Sequence, residues 1–245
     1  MRTIFFQQTR VVSTLFLAVW LATPASAALY QFSFTGPFAN GGVIPDGNPV
    51  GLSDSQTLSG MTGLSISDIS VKLNVSGGYN GDLYAYLSHD GVLVPLLNRV
   101  GVTAGNAFGY SDTGFNIVLS SAAANDVHSY GNFSPTFNGN GQLTGSWQPD
   151  GRNIDPASPP AAFDSASQVT FASFNDANAD GNWTLFFADM SAGGGNSQLV
   201  SWELDITAVP EPVTTALALF AALLLVTRLF LLLRNHIFAW RQQRG

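Results

Sequence analysis

The sequence predicts an all-β domain built as a two-sheet sandwich and held between two apolar end segments. Three observations carry this. Apolar and polar residues alternate at period 2 in short bursts, the bursts are separated by stretches rich in Gly, Asn and Asp, and no sustained 3.6-residue period occurs before Val213.

The N-terminal segment precedes the fold. Arg2 and Arg10 lead into the apolar run Val11 to Ala22, then Thr23, Pro24 and the small residues Ala25, Ser26 and Ala27. That run, about 12 residues, is short of the roughly 20 that cross a hydrocarbon core. Residues 1–27 therefore read as a secretory signal, cut by signal peptidase between Ala27 and Ala28.

Leu29 to Phe34 is expected as an outlying first strand. The clearest burst places Ile69, Val71, Leu73 and Val75 on one face and Ser70, Lys72, Asn74 and Ser76 on the other, one facing a core and one facing water. After the turn-forming Gly77 to Gly81, Leu83, Ala85 and Leu87 alternate with Tyr84 and Tyr86. Asp90 and Gly91 then make a tight return into Val92 to Leu97, and Phe115 to Leu119 gives the next strand.

Residues 121–166 hold Asn, Ser, Gly and Pro with little periodicity and are expected as long ordered loops. Order returns at Val169 to Phe174, Trp183 to Ala188 and Leu199 to Ile206, the last with Trp202, Leu204 and Ile206 inward. About eight short strands suit a sandwich.

From Val213 to Leu233 the chain is apolar apart from Thr214, Thr215, Thr227 and Arg228. Its 21 residues make about 31 Å of helix, enough to span a bilayer. Arg228 lies near the far end, where its long stem can carry the guanidinium to the headgroups. With Arg234, Arg241 and Arg244 it predicts a cytoplasmic C-terminus and an exported domain, residues 28–208.

There is no cysteine, which excludes thiol catalysis and a lipid-bearing cysteine anchor. Between Ala28 and Val209 three cations (Lys72, Arg99, Arg152) face fifteen carboxylates, a net of −12 that the whole-chain value of −7 hides. Such a surface repels polyanions, so nucleic-acid binding is excluded, whereas calcium or neutral glycans suit it.

The tail reads Val209, Pro210, Glu211, Pro212, then an apolar span, then arginines. This resembles the PEP-CTERM sorting signal, with the tail as residues 209–245. The resemblance implies recognition and cutting by exosortase, and an association with exopolysaccharide. Both prolines keep the segment extended, and Pro212 suits the first helical position. The arginines here spread to Arg244, with Ile237, Phe238 and Trp240 among them, where the family has a compact basic cluster.

The middle of the chain resembles the proprotein convertase P domain over about residues 60–207. The residues that carry this are I-S-D-I-S-V-K-L-N-V from Ile66, G-D-L at Gly81 to Leu83, G-N-W-T-L-F-F-A-D at Gly181 to Asp189, and S-W-E-L from Ser201. The resemblance implies a jelly-roll-like β-sandwich of the kind that accompanies subtilisin-type proteases. The match departs at Ser76 to Tyr79, and no protease domain precedes it in this sequence.

Ser88, His89 and Asp90 are consecutive at a strand end, point in different directions, and so cannot form a nucleophilic relay. His128 and His236 are isolated, which argues against zinc. Asp176, Asn178, Asp180 and Gly181 match the start of a calcium loop, with the Asn182 carbonyl as a further oxygen, but the twelfth position is Phe187 instead of a bidentate Glu. The same residues suit a plain hairpin turn, which the missing glutamate favours. Tyr84 and Tyr86 form either a sugar-stacking strip or a packed pair under a loop or sheet. The expected function is a non-catalytic binding or structural module at the cell surface or in the matrix. The alternative is a polysaccharide hydrolase, which requires two facing carboxylates about 5–9.5 Å apart.

Overall fold

The structure, a computed structural model, describes residues 26–242. The expected signal up to Ala25, and Arg244 at the other end, lie outside the described residues. One compact unit is Ala27–Val209, and the C-terminal helix belongs to a second.

The β unit is two sheets. The first runs β1 (Ala28–Phe34), β10 (Ser197–Pro210), β4 (Leu64–Gly77), β7 (Phe115–Ser120), β8 (Leu143–Trp147), with the two-residue β2 (Val43–Ile44) also on β10. The second runs β3 (Leu52–Leu58), β9 (Gly181–Asp189), β5 (Leu83–His89), β6 (Val92–Asn98). This is the expected all-β two-sheet arrangement, with ten strands where about eight were read.

The alternation in β4 does what its period requires. Ile69, Val71, Leu73 and Val75 are buried, as are Trp202, Leu204 and Ile206 on neighbouring β10. Facing them from the other sheet are Leu83, Ala85 and Leu87 of β5 and Trp183, Leu185 and Phe187 of β9. All of these belong to one hydrophobic cluster. Each buried indole finds an acceptor. Trp202 Nε1 donates across the sandwich to Asp54 Oδ2 at 2.7 Å, and Trp183 Nε1 donates to the Ala179 carbonyl at 3.3 Å.

Three expectations are corrected. β3 was not anticipated because Asp54 and Gln56 occupy its inward positions, satisfied by Gln56 Nε2 donating to both Asp54 oxygens and by Trp202. Val169 to Phe174 holds a 3-10 turn at Phe171–Phe174 in place of a strand, and both its phenyl rings are buried in the core. The 121–166 region contains β8, parallel to β7, and 3-10 turns at Val127–Phe133 and Pro160–Ser165.

The helix α1 runs Pro212–Gln242, with Pro212 at its first position. Within it Ala216–Arg234, 19 residues of mean hydropathy 2.6, is long and apolar enough to cross a membrane. The helix continues past the expected end at Leu233. Thr227 Oγ1 donates to the Leu224 carbonyl at 2.8 Å, so this hydroxyl is satisfied within the span.

Candidate functional site

The two expected processing points are brought together by strand register. β1 begins at Ala28, the residue after the expected signal cut, and Ala28 pairs with Ala208, the residue before Val209. Val209 and Pro210 close β10, Glu211 is exposed, and Pro212 opens α1. Proline cannot donate to a ladder, so sheet pairing stops at this motif.

Asp176, Asn178 and Asp180 lie in a turn leading into β9, whose second residue is Asn182, with Asp176 at a left-handed φ of 65°. The side-chain oxygens of Asn178, Asp180 and Asn182 are engaged by the protein itself. Asp180 accepts from the Met61 N–H at 2.8 Å and the Thr62 hydroxyl at 2.9 Å, and Asn178 Oδ1 accepts from the Asp180 N–H at 3.1 Å. The Asn182 side-chain carbonyl accepts from the Thr57 hydroxyl at 2.6 Å. The backbone carbonyls of Asn178 and Asn182 lie 2.7 and 2.9 Å from Nε2 and Nδ1 of His89. His89 is 4 % exposed and stacked on Trp183 with ring centroids 4.0 Å apart at 1°. A carbonyl only accepts, so the ring donates to it from a protonated nitrogen. The loop is therefore a turn organised around a buried histidine. Among the described residues no group of three or more His, Asp or Glu side chains could hold a metal ion.

The same geometry separates Ser88, His89 and Asp90. The His89 ring is committed inward, while Asp90 sits in the β5–β6 turn at φ 47°. Tyr84 and Tyr86 are half-buried on the outward face of β5. Tyr86 stacks on Phe186, its cross-strand partner on β9, at 4.8 Å and 18°. The two rings turn faces toward each other, so this strip is a packed cross-strand pair more than an open sugar platform.

The second histidine ties down the long loops. His128, 2 % exposed, places Nδ1 2.7 Å from Asp150 Oδ2 and Nε2 3.0 Å from the Val102 carbonyl. Arg152 Nη1 reaches Asp126 at 2.8 Å and Asp150 at 3.1 Å, and its Nε donates to the Phe163 carbonyl. Burial, then the Asp150 charge, pushes the Asp126 carboxyl above its ordinary value, against the Arg152 and His128 N–H bonds.

A third polar cluster was not read from the sequence. Asp82, 6 % exposed, ends the 3-10 turn before β5, and Asp189, fully buried, ends β9, where it is paired with Leu83. Burial, and then the Asp189 charge, lifts Asp82 from 3.8 to about 6, and burial also lifts Asp189. The folded value of Asp82 lies above its unfolded value, so the folded state binds this proton more tightly. In chelator, the stability contributed by the protonated form should be present near pH 4 and lost as pH rises through about 6, a change of about 1–3 kcal/mol. Denaturant midpoints across that range measure it, and Asp82→Asn should flatten the profile.

Taken together, fold and site define an all-β sandwich with buried polar clusters, joined to a C-terminal apolar helix. No protein-family profile matches the chain, and no curated protein matches it. Among solved structures it is similar to the Aeromonas sobria serine protease in complex with the chaperone, at TM-score 0.42 and 16 % identity, covering 80 % of this chain and 29 % of that one. It is also similar to the serine protease of Aeromonas sobria, at TM-score 0.39 and 14 % identity, covering 78 % and 29 %. This chain thus spans under a third of those proteins' length.

Proposed function

We propose that this protein is an exported, exosortase-sorted, non-catalytic module of the cell surface or extracellular matrix, a P domain-like sandwich acting as a binding or structural unit alongside exopolysaccharide. The observation that carries the reading is the register Ala28 opposite Ala208. It pairs the residues beside the two expected cuts at one end of one strand pair, which supports the reading that the folded unit lies between those cuts. An apolar helix then starts at Pro212, one residue past the strand. Before cutting, the chain is held in the inner membrane with its arginine-bearing end cytoplasmic.

The non-catalytic part of the reading is supported by the chemistry of the domain's two histidines. Each has both ring nitrogens bonded to protein acceptors, so neither is placed to take a proton from a substrate. Asp82 is 6 % exposed and Asp189 fully buried, where a hydrolase needs its carboxylates in an open groove.

The test is the intact mass of mature protein from cells with an active exosortase and from cells lacking it. Active cells should yield a species ending within residues 209–212, and deficient cells should retain the helix. Mature protein that still contains Leu223 in active cells would overturn the reading.

A further inference from the structure

We propose that the exported domain binds one calcium ion between Asp82 and Asp189, beneath the glycine-rich loop 190–196. This site is separate from the 176–182 turn and does not depend on the sorting reading.

Three chain segments converge there. Asp189 Oδ1 accepts from the Gly47 N–H at 3.3 Å and the Ser191 N–H at 3.1 Å. Asp46 accepts from the Gly193 N–H at 3.0 Å with both oxygens, and its own N–H donates to Asn196 Oδ1 at 3.0 Å. Gly194 lies directly over Asp82, where an added Cβ would sit 3.3 Å from Asp82 Oδ2 and 2.5 Å from the Tyr79 Cβ. The loop can pass there only as glycine.

The second oxygen of Asp189 points to a ligand. Oδ2 belongs to a fully buried residue and has no hydrogen-bond partner, although a buried carboxylate oxygen left unsatisfied is costly. The unpaired charge beside it is Asp82, and Asp46 adds a third negative charge to the field at both. One cation is close, Arg99, but its guanidinium donates to the Gly81 and Pro156 carbonyls, and among the described residues it forms no ion pair. Two neighbouring carboxylates, one of them fully buried, therefore stand with no direct counter-charge.

A hard divalent cation answers this need. Calcium accepts mixed shells of carboxylates, backbone carbonyls and water in irregular geometry, so two carboxylates suffice when loop carbonyls and water complete the shell. Among the described residues no group of three or more His, Asp or Glu side chains could hold an ion, so here carbonyls and water must supply the rest of the shell. Gly193 and Gly195, at φ 118° and 79°, sit in an exposed loop that can open to admit the ion. Magnesium, which requires near-octahedral geometry and keeps its waters, fits less well.

The experiment is a thermal melt of the full-length protein in detergent at neutral pH, in chelator and then in millimolar calcium chloride, on wild type, Asp82→Asn and Asp180→Asn. Wild type should gain about 5 °C or more with calcium, and Asp180→Asn should gain the same amount. Asp82→Asn should melt at or above wild type in chelator, because it removes a buried charge, and should gain nothing with calcium. This opposite sign keeps the test clear of simple misfolding. A wild type that does not respond to calcium, or a calcium shift that survives Asp82→Asn, overturns the proposal.

Discussion

Replacing Asp150 with alanine should destabilise the exported domain by about 3–5 kcal/mol, among the largest losses available outside the apolar core. Asp150 is fully buried, and its two oxygens serve four donors: His128 Nδ1, the Asn98 N–H, the Arg152 N–H and Arg152 Nη1. Together these donors connect β6 with the loops around residues 126–128 and 152. Removing the carboxylate leaves the His128 Nδ1 position without its acceptor in a region closed to water and Arg152 Nη1 with Asp126 alone, which costs far more than the intact pair contributes.

Urea unfolding of residues 28–208 followed by tryptophan fluorescence checks this, since the core that forms this unit is wholly internal to it. The double variant His128→Leu plus Asp150→Asn should lose less than the sum of the two single variants, because each single change strands the other partner. Loss of under about 1 kcal/mol for Asp150→Ala would show that the network is decorative, with the loops held by their backbone bonds.

Legibility in the sequence followed the range of the interactions. β4 and β10 could be read because each has one apolar and one wet face, and the pleat turns that into period 2 without reference to any partner. β3 could not, since Asp54 and Gln56 point inward and are paid back by Trp202, which arrives from the opposite sheet 148 residues along the chain. β8 is five residues long and gains its place by pairing parallel to β7, for which its own sequence carries no alternation. The Asp82 and Asp189 cluster is invisible for the same reason. Each aspartate ends an apolar strand, and only the Leu83–Asp189 register sets them side by side. The signal and tail needed no partner, because length, hydropathy and flanking charge are properties of the segments themselves.

The 176–182 turn shows where a local motif and its chemistry part. Oxygen-bearing residues at alternate positions before a glycine correctly mark a tight loop with carbonyls turned inward, but spacing alone does not say what those carbonyls face. Here they face His89, from the end of β5, 89 and 93 residues earlier in the chain. His89→Phe should keep the stack on Trp183 while removing the ring nitrogens that bond the part-buried Asn178 and Asn182 carbonyls. Because these bonds are part-buried, the loss should be about 1–3 kcal/mol, read as a lower urea midpoint with an unchanged m-value. His89→Gln loses the stack but keeps an amide with two N–H donors, so it should recover part of that loss. If His89→Phe proved as stable as wild type, the turn would be holding its shape through the Asp180, Met61 and Thr62 bonds alone, and the histidine would contribute only its ring.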